Sequence, residues 1–208
     1  KECLRDVNRD SMPDHILHIG IDLSLRTDLT SATVAWKDDD GNINVLCFAY
    51  APLIGVEQRE IRDKAPYQQW AKDGWLILTP GATVDYEYVC NHLARVLKGC
   101  TIGSVQFDRW KIDNFTRAAQ DTDFYAMVPN TNEDKTAGWI DVGQGYVSMA
   151  PRLESFEAEA MRGVLQTGNH PVLNLAASQA IAVSDDAGSR KLAKSKSVHR
   201  IDPMQAAI

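Results

Sequence analysis

An aspartate planted inside an apolar strand constrains the fold of this chain more than any other feature of its sequence. The run His-Ile-Leu-His-Ile-Gly-Ile-Asp-Leu-Ser from His15 to Ser24 reads as a buried strand through Ile16, Leu17, Ile19, Ile21 and Leu23, and it carries Asp22, with Asp28 six residues further on. An ionised carboxylate in such a setting is costly unless something cationic or a firm hydrogen-bonding partner meets it. Two readings stand at this point: a carboxylate at a strand end that caps the following turn through its own backbone, or one held against a metal ion. Segments downstream must decide between them.

The order of elements narrows the fold. Thr30 to Trp36 alternates as a second strand, Lys37 to Gly41 is a turn signal, and Ile43 to Tyr50 is a third strand, so the chain opens with an antiparallel meander. Glu57–Lys64 reads as a short helix ended before Pro66, and Tyr67–Asp73 as a second closed by Gly74. Trp75 to Gly81 then crosses to a longer helix, with Asp85 and Glu87 in its first turn and an apolar stripe of Val89, Leu93, Val96, Leu97 and Cys100. Next come a strand over Ser104–Asp108, a helix over Ile112–Gln120 and a strand over Phe124–Val128, an alternation that implies parallel neighbours. A loop with Gly138, Gly143 and Gly145 leads to helices over Pro151–Leu165 and Pro171–Gln179, a strand over Ala180–Ser184, a turn and a returning basic strand. The pattern is α/β, a mixed central sheet in which an antiparallel meander is followed by parallel strands, flanked by helices. This order is expected of a ribonuclease H-like fold. Sites in open α/β sheets form at strand carboxyl ends, so Asp22 and Asp108, each near the end of its strand, are expected as neighbours.

The 208 residues suffice for one large domain with a real core. A formal net charge of −6 argues against nucleic-acid binding by global charge, yet Arg190, Lys191, Lys194, Lys196 and Arg200 form a local acid-free stripe, read either as a solvated edge or as a nucleic-acid contact. Cys3, Cys47, Cys90 and Cys100 show no C-x-x-C spacing and read as buried thiols. No stretch approaches the roughly 18 apolar residues of a membrane span. The chain opens at Lys1 and stops at Ile208 within a run that looks helical, which suggests one domain of a longer polypeptide: residues 1–14 as a polar linker from a preceding domain, and 15–208 as a domain cut in its last helix.

A third acid, Asp202, opens that last helix in Arg200-Ile-Asp-Pro203, where a helix-capping role and a cation-binding role are both open. Several motifs then carry a resemblance. Gly20 to Thr30 (GIDLSLRTDLT), Ala65 to Gly81 leading into Asp85-Tyr86, Phe107 to Trp110 (FDRW), Gly143 to Tyr146 (GQGY), His170 to Asn174 (HPVLN) and Arg200 to Ala207 occur in the order found in the nuclease half of tailed-phage terminase large subunits. Together they span nearly the whole chain, which resembles that family. The resemblance implies a metal-dependent endonuclease that cuts concatemeric double-stranded viral DNA during packaging, by a two-metal-ion mechanism with Mg²⁺ or Mn²⁺. Carried over by position, the ligands and catalytic acids are Asp22, Asp108 and Asp202. Asp28 matches an acidic position as a further ligand, an orienting group or a turn residue. Hard divalent ions suit such carboxylates.

Arg109 beside Asp108 is expected either at a DNA phosphate or paired with an acid, and the stripe Arg190, Lys191, Lys194, Lys196 and Arg200 along the DNA backbone. The resemblance also implies a preceding ATPase domain, a portal and a small terminase subunit as partners, no membrane partner, and work in the host bacterial cytoplasm. No Walker-type G-x-x-x-x-G-K-[ST] run occurs, so this segment is not expected to hydrolyse ATP. Two rivals have other sources. Gly-Ile-Asp-Leu-Ser also resembles the first phosphate loop of actin-like ATPases and sugar kinases, but the second Asp-Gly-Gly-like loop and the two-lobed length of those proteins are not in this sequence. A catalytically silent DNA-docking domain differs in lacking cation-dependent cleavage.

Overall fold

The computed structural model describes residues 5–23, 29–108, 112–197 and 200–208. Strands β1 (Ile16–Asp22), β2 (Thr30–Lys37) and β3 (Ile43–Pro52) are followed by helices α1 (Val56–Asp63) and α2 (Tyr67–Lys72), strand β4 (Leu76–Thr79), helix α3 (Tyr86–Val96) and strand β5 (Thr101–Asp108). Helices α4 (Ile112–Gln120) and α5 (Asp123–Met127), strand β6 (Gly138–Val142), helix α6 (Tyr146–Met161), the two-residue β7 (Leu165–Gln166), helix α7 (Pro171–Gln179), the hairpin of β8 (Ala182–Ser184) and β9 (Arg190–Leu192), and helix α8 (Asp202–Ala207) complete the order. The main sheet runs β4-β3-β2-β1-β5-β6, with β7 also against β3. The β1–β2 and β2–β3 pairs are antiparallel and the β1–β5 pair is parallel, as the order of elements predicts; the β5–β6 and β3–β4 pairs are parallel as well, with β4 in the segment read only as a crossing to the longer helix.

Side-chain alternation divides the sheet between two helical layers. Leu17, Ile19 and Ile21 of β1 share a core with Val34 and Trp36 of β2, Val105 and Phe107 of β5, Val89, Leu93 and Leu97 of α3, Phe115 of α4 and Phe124 of α5. The opposite face packs Val45 and Cys47 of β3 against Leu173 and Ala176 of α7 and Met204 of α8. Gly20 is on this second face, where an added Cβ would sit 2.0 Å from the Ala206 carbonyl oxygen; only a residue without a side chain lets α8 lie this close to β1. Thr33, across the ladder from Gly20, donates its hydroxyl to that same carbonyl.

A bulge controls which face the end of β5 presents. Leu17 pairs with Ile102, but His18 pairs with Ser104, so Gly103 is an extra residue in the ladder. Ile102 faces the α3 layer, and after the bulge Ser104, Gln106 and Asp108 fall in step with His18, Gly20 and Asp22 on the α8 face.

Two expectations need correction. Phe124–Val128 is not a strand: its core is helix α5, in which Phe124 is buried with its ring edge-on to Trp139 at 6.0 Å. A run of five apolar residues has no period long enough to separate strand from helix. The next parallel strand is instead β6, inside the glycine-bearing segment read as loop. Helix α6 starts five residues before Pro151 and ends at Met161, so that Leu165, expected in the helix, instead pairs with Ile43 as part of β7. Proline leaves the Val147 carbonyl without its helical donor, a loss that solvent can make good because Val147 is 94% exposed. Residues 5–14, expected as linker, lie against the domain: Met12 is buried, Trp36 donates its indole N–H to Ser11 Oγ at 3.1 Å, and the Asn8 amide donates to Asn44 Oδ1 at 3.0 Å. Cys47 and Cys90 are free and buried, with burial pushing both thiols up to about 12; Cys100 is free but only partly buried, at the exit of α3 rather than in the core, and Cys3 lies outside the described residues.

Candidate active site

Asp22 ends β1 and Asp108 ends β5, and the register that joins Ile21 to Phe107 sets the two acids at the carboxyl ends of adjacent parallel strands. Helix α8 lies over the same face and brings Asp202, its first residue, to Asp22. The side chains of Asp22 and Asp202 are only 8% and 3% exposed. Between them lies the ammonium of Lys194, which donates to Asp22 Oδ2 and, at 2.8 Å, to Asp202 Oδ1. Burial works against the charged form of Lys194, but Asp22 and Asp202 outweigh it and hold its pKa above the ordinary lysine value. The costly carboxylate of the first strand therefore has a cationic partner, contributed from far along the chain.

Asp108 lines a cleft of about 490 Å³ with Asp22, Gln144, Tyr146, Lys191 and Lys196. The cleft is closed on one side by the turn after β9, which carries Lys194, and on another by the start of α6. Lys191 donates to the Gln144 carbonyl at 2.9 Å and its ammonium lies 4.9 Å from the centre of the Tyr146 ring. Gln205 donates to the Gln144 side-chain oxygen at 3.1 Å, tying α8 to the loop before α6.

The basic stripe is divided among several tasks. Arg190 pairs with Glu157 of α6, Lys194 joins the two acids, and Arg200 Nε lies 3.6 Å from Oδ2 of the buried Asp63. Asp63 also accepts from Arg62 at 2.6 and 2.7 Å and from the Tyr67 hydroxyl at 3.0 Å. Burial would raise the Asp63 pKa, but Arg62, Arg200 and Tyr67 together hold it below the usual carboxylate range. Asp28 and Arg109 lie outside the described residues. The role of Lys194 as the link between the acids, and the presence of Gln144, Tyr146 and Gln205 at the cleft, were not predicted. The basic stripe marked Lys194 and the GQGY motif marked Gln144 and Tyr146, whereas nothing in the local sequence around Gln205 singles it out.

A metal ion fits this donor set by its chemistry. Among the described residues no three His, Cys, Asp or Glu side chains converge tightly enough to hold an ion by themselves. Asp22 and Asp202 nonetheless already grip a cation, the Lys194 ammonium, through hard oxygen donors. Across the β1–β2 ladder from Asp22, the fully buried hydroxyl of Ser31 has no hydrogen-bond partner among the described residues.

Comparison with known proteins agrees with this architecture. Residues 7–208 match the family model of the terminase large subunit, endonuclease domain. The terminase large subunit of Enterobacteria phage HK97 is 38% identical over 189 residues, covering 91% of this chain and 35% of that protein, so the chain spans little more than a third of the relative's length. The crystal structure of the HK97 large terminase matches with a TM-score of 0.85 at 35% identity, over 99% of this chain and 40% of that one. The large terminase nuclease from thermophilic phage G20c with bound magnesium shares the fold at a TM-score of 0.51 and 14% identity, over 97% of this chain and 81% of that one. The mixed sheet with its flanking helices is thus the ribonuclease H-like fold of the terminase nucleases, and the chain belongs to the terminase large subunit endonuclease-domain family.

Proposed function

We propose that this domain is a divalent-metal-dependent endonuclease that cuts concatemeric double-stranded viral DNA during genome packaging. One observation carries the proposal: two nearly inaccessible carboxylates, Asp22 and Asp202, hold a cation between them at the edge of a cleft that Asp108 also lines. Asp22, Asp108 and Asp202 would hold two Mg²⁺ or Mn²⁺ ions, with Asp28 as a further acid. The magnesium bound by the G20c nuclease makes that ion the first choice. When bound, such ions supply an activated water nucleophile and neutralise charge on the leaving 3′ oxygen.

The protein's own side chains prepare the site. Lys194 screens the repulsion between Asp22 and Asp202, which burial would otherwise sharpen. Lys191 and Lys196 face the cleft and would meet the DNA backbone without reading its sequence. Arg190 and Arg200 are held by Glu157 and Asp63, so each would touch phosphate only by sharing or leaving its acid; Arg109 would add a further phosphate contact beside Asp108. A preceding ATPase domain, the portal and the small terminase subunit are the proposed partners of the full-length protein, in the host cytoplasm.

Plasmid digestion tests the function. Native protein should nick and linearise plasmid with Mg²⁺ or Mn²⁺ and leave it intact with chelator. Cleavage that persists in chelator rejects the metal-dependent reading, and a folded protein inert with both ions is a docking domain.

A further inference from the structure

Among the described residues, the Ser31 side chain is a polar feature of this site with no task in the arrangement above. It is fully buried, and its hydroxyl oxygen makes no hydrogen bond among the described residues. Leaving a buried hydroxyl unpaired is unfavourable, and such groups in native proteins call for an explanation. Apolar neighbours alone would be met as well by alanine.

Its position supplies the explanation. Ser31 is the direct cross-strand partner of Asp22, so both side chains emerge on the same face of the sheet. Two residues further along each strand, Thr33 and Gly20 lie under Ala206, near the end of α8. Two strand residues advance about 6.6 Å, and the four helical residues from Ala206 back to Asp202 span about 6 Å. Ser31 therefore lies beneath the first turn of α8, at the junction of Asp22 and Asp202. Directly opposed residues on antiparallel strands have Cβ atoms about 5 Å apart, close enough for a serine hydroxyl to reach a facing carboxylate by rotation about one bond.

We infer that Ser31 is a positioning residue of the cation site: when a divalent ion replaces the Lys194 ammonium between the acids, the Ser31 hydroxyl donates to the Asp22 carboxylate and fixes its orientation toward the ion. Lys194 sets that carboxylate in the present arrangement, so the hydroxyl has a task only after the lysine is displaced. The inference rests on the proposed metal site.

The test compares native protein, Ser31→Ala and Ser31→Thr in two measurements without DNA: Mn²⁺ binding by calorimetry, and the melting temperature in chelator. Ser31→Ala removes an unpaired polar group, so its melting temperature in chelator should equal or exceed the native value, while its Mn²⁺ affinity should fall by about tenfold or more, the usual cost of losing a group that orients a metal ligand. Ser31→Thr, which keeps the hydroxyl, should bind Mn²⁺ more tightly than Ser31→Ala. Native-like affinity in Ser31→Ala overturns the inference alone. A clear fall in its melting temperature in chelator also overturns it, since the hydroxyl would then serve the fold. No Mn²⁺ uptake by the native protein overturns the metal site and the inference together.

Discussion

Asp22 is tolerable in its apolar strand because Lys194 reaches it, and both acids lose their shared counter-ion if that lysine is shortened. Lys194→Ala should therefore lower the melting temperature in chelator, and Mn²⁺ should raise it by more than in the native protein, because the added ion then relieves repulsion that Lys194 no longer screens. A smaller metal-induced rise than native would mean that Lys194 helps hold the ion. Asp22→Asn and Asp108→Asn change little volume and should each abolish plasmid cleavage in folded protein; undiminished cutting by either removes it from the ligand set. That Asp22 needs a cation or a firm hydrogen-bonding partner was legible in the sequence, because an acid among isoleucines has few other ways to be stable. Which cation was not legible. Lys194 is 172 residues away, and only tertiary packing separates it from the other basic residues of its stripe.

Secondary elements transmit position to these side chains. Helix α8 has six residues, too few to set its own place, and it is located by Gly20 beneath it and by the Thr33 hydroxyl on its Ala206 carbonyl. Gly20→Ala should cost about 1–3 kcal/mol of stability by overpacking and should weaken Mn²⁺ binding as well, since relief of the clash lifts α8 and carries Asp202 away from Asp22. A drop in stability with unchanged Mn²⁺ affinity would show that α8 yields elsewhere. Helix α7 adds a pH dependence. Its N-cap His170 is 6% exposed and accepts from the Leu173 amide, and burial, helped by the charge of Arg9, pushes its pKa from 6.5 down to about 4. The unfolded chain binds this proton at about pH 6.5 and the folded one only near pH 4, so its contribution is complete above pH 6.5 and is lost as pH falls through that window, by about 3 kcal/mol. His170→Asn keeps a capping acceptor that does not titrate and should flatten the melting temperature between pH 6.5 and 4; an unchanged slope assigns the acid sensitivity to other groups. The span of α7 was readable in full because Pro171 fixes its first turn. The span of α5 was not, because so short an apolar run takes its structure from Trp139 and the α3 layer around it.

Over the whole molecule the net charge is negative while the cleft presents lysines, so binding to duplex DNA should be local and sensitive to salt. Neutralising Lys191 and Lys196 together should weaken it evenly across sequences and flatten the dependence of log affinity on log salt by about 0.9 for each phosphate that no longer meets a lysine. An unchanged slope would direct attention to Arg109, Arg190 and Arg200. The bulge at Gly103 links that whole to its chemistry in a different way. A strand offers each residue only two directions, so the site depends on whether the count of residues between the bulge and Asp108 is odd or even. Substitutions leave that count alone and can be graded in effect. Removing Gly103 would only make Leu17–Ile102 and His18–Ser104 consecutive pairs and keep Asp108 on its face, whereas removing Val105 from the regular ladder would turn Asp108 toward the α3 layer and move Phe107 out of the core at one stroke. The tolerance of this strand to deletion is therefore binary, and the domain keeps its acids together by arithmetic as much as by contact.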